Sequence, residues 1–168
     1  PRKELQSNLD FEYVSLDELY KNSDIISLHC PLTSDTKYII NSNNISKMKD
    51  GVMIINTGRG KLINTIDLIE GLKSKKIGAA GLDVYEEEAD YFFEDHSTEI
   101  LDDDVLARLL TFNNVIVTSH QAFFTKEALS NIAETTLKSV SELESAKKLS
   151  YEIAYVCENG NCSPKDIK

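Results

Sequence analysis

An arginine stands between two glycines in MIINTGRGKLIN (53–64), directly after an apolar run. Further on, GLDVYEEE (81–88) carries Asp83 and then Glu86, Glu87 and Glu88, and NVIVTSH (114–120) ends in His120. A guanidinium fork matches a carboxylate with two parallel hydrogen bonds, which fixes both position and orientation. An imidazole gives or takes a proton near neutral pH, and a neighbouring carboxylate favours the imidazolium and holds its tautomer. Singly, each feature has an ordinary reading: a surface Gly-Arg-Gly turn, a strand-end histidine, a solvated acidic run. Jointly they make an acid–base set with an anion anchor. On this reading Gly58 and Gly60 let the backbone approach a ligand while Arg59 grips its carboxylate. Residue type alone leaves the choice among Glu86, Glu87 and Glu88 open.

The elements that must position these groups follow from periodicity. FEYV (11–14) reads as a weak strand. SLDELYKNS (15–23) reads as a helix capped by Ser15, with Leu16, Leu19 and Tyr20 on one face. DIISLHC (24–30) is an apolar strand ended by Pro31, and SNNISKMKD (42–50) a short helix with Ile45 and Met48 three apart. GVMIINT (51–57) is the clearest buried strand. NTIDLIEGLKSKK (64–76) is predicted as an amphipathic helix with Ile66, Ile69 and Leu72 inward, followed by the strand IGAAGLDVY (77–85). DDDVLARLLT (102–111) is an acid-started helix, NVIVTSH a last strand, and TKEALSNIAETTLKSVSELES (125–145) a long helix.

Strands alternating with helices of this length mean βαβ units: an α/β fold with a parallel, Rossmann-like sheet covered on both faces. Ligands of such sheets collect at the carboxyl ends of the strands. That rim receives His29, Cys30 and Pro31, then Thr57, Gly58 and Arg59, then Asp83 and the three glutamates, then His120. Residues 148–168 read as an unstructured polar tail in which Cys157 and Cys162 are a weak metal signal.

The 168 residues are 41% hydrophobic and 27% charged, which describes about one globular domain. A net charge of −10 argues against nucleic acid and anionic membranes, both of which need clustered Lys and Arg. No apolar run approaches the roughly 18 residues of a membrane span. The three cysteines, Cys30, Cys157 and Cys162, fit reduced thiols in a cytoplasmic protein better than a disulfide scaffold, and no metal site is expected. An arginine, a carboxylate and a histidine at one rim suit reduction of a 2-keto acid, whose carbonyl oxygen gains a proton as hydride reaches carbon. No amino acid supplies hydride, so a nicotinamide is implied.

NTGRG, GLDVYEEE and SHQAFFT, in this order and at these intervals, resemble the D-isomer-specific 2-hydroxyacid dehydrogenases. The resemblance covers about residues 1–150. It is closest to the bacterial fermentative D-lactate dehydrogenases, through FFEDHS (92–97), DDDVLARLL (102–110) and the aromatic pair of HQAFFT (120–125). It implies NAD as cofactor and pyruvate/D-lactate as substrate pair. By the same resemblance Arg59 is the carboxylate anchor, His120 the acid/base and Glu88 its assisting acid. Asp83 is implied to meet the nicotinamide carboxamide, and Cys30, Pro31, Thr36, Thr57, Gly58 and Arg59 to line the cofactor. Phe123 resembles a wall of the substrate pocket. Gly58, where Ser is usual, and Glu87, where Gly or Asn is usual, are mild departures.

The family's G-x-G-x-x-G phosphate turn and ribose-binding Asp have no counterpart here. GRGKLI (58–63) fails as a substitute because Ile63 stands at the third glycine position. The chain also opens without an initiator Met. It is therefore expected to be the carboxyl-terminal part of a longer, homo-oligomeric enzyme. Residues 1–124 would be the end of the NAD-binding domain, 125–150 a long helix returning to the substrate domain, and 151–168 a polar tail. A non-catalytic NAD-sensing binding protein or corepressor of the same fold is the alternative.

Overall fold

Ser15 starts the first helix by a reciprocal capping box. Its hydroxyl accepts from the Glu18 amide, and the Glu18 carboxylate accepts from the Ser15 amide at 3.0 Å. The resulting helix α1 spans Leu16–Asn22. The computed structural model describes residues 11–87, 102–145, 148–151, 155–158 and 161–164. After α1 come β1 (Ile25–Leu28), α2 (Ser42–Lys47), β2 (Val52–Asn56), a 3-10 turn (Gly60–Leu62), α3 (Thr65–Lys73) and β3 (Ile77–Leu82). Then follow α4 (Asp104–Leu110), β4 (Val115–Val117), α5 (Lys126–Glu144) and a pair of short strands, β5 (Tyr155–Glu158) and β6 (Asn161–Pro164).

The chain divides into two compact units, Pro1–Ala122 and Phe123–Lys168. In the first, four parallel strands lie in the sequential order β1-β2-β3-β4. Right-handed crossovers that all step the same way put their helices on one side of the sheet. Tyr20 of α1, Ile45 of α2, Leu68, Ile69 and Leu72 of α3 and Leu109 of α4 share one core with Ile26, Leu28, Val52, Ile54, Ile77, Ala80 and Leu82. The opposite face carries Ile25, Met53 and Ile116, which are 59%, 38% and 67% exposed. The expected cover on both faces is therefore found on one face only among the described residues.

Two further expectations fail locally. FEYV forms no strand. β1 is the outer strand of the described sheet, and an extended segment without a neighbour cannot satisfy its backbone groups. In α3 the inward stripe is Thr65, Leu68, Ile69 and Leu72, whereas Ile66 is 62% exposed. These four share one face at i, i+3, i+4 and i+7, and Ile66 lies off it.

In the second unit α5 is opened by Thr125, whose hydroxyl accepts from the Ala128 amide at 3.2 Å. None of its residues is buried, and Leu129, Ile132, Val140 and Leu143 are exposed along one stripe. The region expected to be an unstructured tail instead contains an antiparallel hairpin, with Cys157 opposite Cys162 in register. A polar composition conceals this strand pair, whose ladder joins backbone groups.

Candidate active site at the carboxyl rim of the sheet

Because the four strands are parallel and adjacent, the loops after β1, β2, β3 and β4 follow one another along a single rim. The loop after β1 is shaped by Thr36. Its hydroxyl donates to the Pro31 carbonyl at 2.6 Å and accepts from the Thr33 amide at 2.8 Å. Cys30 is a free, half-buried thiol packed against the core. His29 is exposed and bonds the Ser27 hydroxyl of its own strand at 2.8 Å, as an ordinary strand-end histidine does.

The loop after β2 holds Thr57, Gly58 and Arg59. Arg59 is exposed, and its Nη1 donates to the Gly58 carbonyl at 2.8 Å. Beneath it Asn56 is fully buried. The Asn56 amide group donates from Nδ2 to the Arg59 carbonyl at 2.9 Å and accepts at Oδ1 from the Gly58 amide at 3.1 Å. The glycines need correcting. A Cβ at Gly58 would sit in ordinary contact 3.5 Å from the Leu28 carbonyl oxygen, so the side chain usual at this position has room. A Cβ at Gly60 would lie 1.9 Å from the Tyr85 carbonyl oxygen. Gly60 is small because the loop after β3 crosses it, not because a ligand approaches it.

That loop begins with Asp83, which is 3% exposed. Its carboxylate accepts from the Thr118 hydroxyl and from the amides of Gln121 at 2.8 Å and Ala122 at 2.9 Å. Burial alone would raise this carboxyl. The Thr118 hydroxyl and the Ala122 and Gln121 amides outweigh it, helped by the nearby His120, and hold Asp83 below its ordinary value. The Asp83 carbonyl also accepts from the His120 amide. Ser119 and His120 are both left-handed, with φ of 52° and 57°, a conformation costly for residues other than glycine. Asp83 thus ties down the turn that presents His120, a use of its carboxylate separate from any contact with a cofactor.

The three glutamates are now distinguishable in part. Glu86 accepts from the Thr65 amide at 2.7 Å, at the start of α3, and from the Tyr38 hydroxyl, whose titration it pushes up. Glu87 lies 3.5 Å from the Lys61 ammonium. Glu88 lies outside the described residues. Tyr85 donates to Asp103 at 2.7 Å, while the other Asp103 oxygen caps α4 at the Val105 and Leu106 amides. Phe123, 52% exposed and edge-on to Phe124 with ring centroids 6.3 Å apart, belongs to the second unit.

Asn56, Asp103 and Thr118 were not singled out from the sequence. Asn56 had a signal: it continues the inward alternation of Val52 and Ile54, where a polar side chain must find buried partners.

The sequence model of the D-isomer specific 2-hydroxyacid dehydrogenase NAD binding domain matches residues 1–122. The chain belongs to that family. The chain is 50% identical to the D-lactate dehydrogenase of Escherichia coli, covering 86% of itself and 44% of that protein. It is 54% identical to an aromatic 2-oxoacid reductase of Clostridium sporogenes, covering 79% of itself and 40% of the relative. Among solved structures, the D-lactate dehydrogenase of Aquifex aeolicus in complex with NAD and lactic acid superposes with a TM-score of 0.74 at 40% identity, covering 87% of this chain and 44% of that one. The chain thus spans less than half the length of these relatives.

At the rim stand the buried Asp83, the turn of Thr57 and Gly58, and the Cys30–Pro31 turn closed by Thr36, which are the groups there that could hold part of the cofactor. Among the described residues no helix is long and apolar enough to cross a membrane.

Proposed function

We propose that the polypeptide carrying this chain is an NAD-dependent D-2-hydroxyacid dehydrogenase that reduces pyruvate to D-lactate. The observation that carries this reading is the pairing, at one sheet rim, of a braced arginine turn with a histidine held in a left-handed turn by a buried aspartate. Arg59 receives the substrate carboxylate through its fork. His120 donates the proton that the carbonyl oxygen takes up during reduction and recovers it in the reverse direction. Glu88 partners His120, as the resemblance to the family implies, while Glu86 is engaged at the start of α3 and Glu87 lies beside Lys61. When bound, the reduced nicotinamide supplies the hydride. Asp83, Thr57, Gly58, Cys30, Pro31 and Thr36 hold that end of the cofactor, with Asp83 also keeping His120 in place.

The test is steady-state oxidation of NADH by the complete polypeptide. Arg59→Lys keeps the charge and loses the fork, so kcat/KM for pyruvate is expected to fall by about 100-fold or more. Unchanged kinetics in this variant, or no turnover by the parent, overturns the reading; the latter outcome favours an NAD-sensing binding protein. The likeness to an aromatic 2-oxoacid reductase supports a second substrate reading, a larger aromatic 2-keto acid. A kcat/KM higher for phenylpyruvate than for pyruvate would select it.

A further inference from the structure

Of the polar side chains near the rim, Asn56 is fully buried, and both of its side-chain hydrogen bonds go to the turn that follows it. A primary amide offers a donor and an acceptor on one rigid plane. Here the acceptor takes the Gly58 N–H and the donor serves the Arg59 carbonyl, so one side chain closes both ends of the turn bearing the guanidinium. The backbone of the same residue continues the connection. The Asn56 carbonyl accepts from the Asp83 amide at 2.9 Å, and the Asp83 carbonyl accepts from the His120 amide. An unbroken hydrogen-bonded path therefore runs from the Arg59 turn, across β2 and β3, to the turn carrying His120.

We propose that Asn56 is a positioning residue that sets the Arg59 turn relative to His120, and that it governs capture of the substrate carboxylate. This rests on the reading of Arg59 as the carboxylate anchor. A shorter or a charged side chain does not do the same job. Serine is too short to reach both backbone groups. An ionised aspartate still accepts from the Gly58 amide, but it sets an oxygen against the Arg59 carbonyl. A protonated aspartic acid restores the donor, and burial favours that neutral form.

The experiment measures kinetics and thermal midpoints of Asn56→Asp, Asn56→Ser and Arg59→Lys, singly and with the double variant Asn56→Asp/Arg59→Lys, in the complete polypeptide. In Asn56→Asp the KM for pyruvate is expected to rise about tenfold or more near pH 8, while the KM for NADH stays within about twofold. Relative to the parent at each pH, the pyruvate KM should recover as the pH is lowered and the carboxyl gains its proton. In the Arg59→Lys background the Asn56→Asp change should add little, because the fork it positions is gone.

Equal losses in both KM values, or penalties that multiply in the double variant, make Asn56 a general framework residue and overturn the proposal. Failure of both Asn56→Asp and Asn56→Ser to fold has the same meaning. An Arg59→Lys variant with parental kinetics instead points to an error in the underlying assignment of Arg59.

Discussion

At Asp83 a buried carboxylate is kept charged by three hydrogen-bond donors, and this has a measurable pH consequence. Because its value in the folded chain lies below the ordinary one, its contribution is complete above about pH 4 and is lost as the pH falls through the lower folded value. In Asp83→Asn the Gln121 and Ala122 amides lose a charged acceptor, at a local cost of about 2 kcal/mol at neutral pH. Hydrogen exchange at those amides reports this directly: protection should exceed that of the variant at pH 7, start to decline below about pH 4, and converge with it only as the pH falls through the lower folded value. A gap that persists unchanged into stronger acid would show that Asp83 does not act as a charged anchor. The acidic run gives a second contrast at this scale. Glu86→Gln weakens the start of α3 and the Tyr38 contact, so it should lower thermal stability with modest loss of turnover. Glu88→Gln should lower kcat by roughly 10- to 100-fold with stability retained. The reverse pattern would transfer the proposed acid–base role to Glu86.

Among the elements, the loops after β2 and β3 are interlocked. Gly60 lies under the Tyr85 carbonyl, and the Glu86 amide nitrogen would stand only 2.7 Å from an added Cβ. The obstacle is backbone on both counts, so no side-chain rotation relieves it. Gly60→Ala should destabilise the domain by about 3 kcal/mol or more, seen as a lower denaturant midpoint. Since the displaced backbone leads to the acidic run, turnover should fall with it. An alanine variant with parental stability would mean that the two loops separate at no cost. Helix starts are more tolerant. Ser15→Ala removes a capping box at the exposed end of α1, for about 1 kcal/mol, with no effect on pyruvate kinetics.

At the scale of the sheet, among the described residues one face is covered, and Ile25, Met53 and Ile116 stand exposed on the other. Among the same residues β1 is the edge strand. The 168 residues made alone are therefore expected to self-associate, detectable as a concentration-dependent mass by light scattering. They also lack the glycine turn whose amides would hold a pyrophosphate, so NADH binding should be weak or absent and pyruvate turnover undetectable. Saturable NADH binding by these residues alone, at strength equal to the complete polypeptide, would contradict that expectation.

The sequence by itself determined the parallel α/β order, the carboxyl rim and the family. These depend on alternation, strand spacing and three short motifs, all of which are local in the chain. It also placed the start of α1 at Ser15, because a capping box lies within four consecutive residues. The side of α3 that faces inward was decided by tertiary structure: Ile66 and Leu68 are both apolar, and the packing of α3 against β3, α2 and α4 chooses between them. The hairpin at 155–164 was hidden because its bonds join backbone groups, which composition does not record. The reason for Gly60 was also invisible, since Tyr85 meets it from a distant stretch of chain. The site divides in the same way. Arg59 and His120 could be named from residue type and spacing. The braces that hold them, Asn56 under one and Asp83 with Thr118 under the other, required the fold, because hydrogen bonds between neighbouring strands are a property of their register.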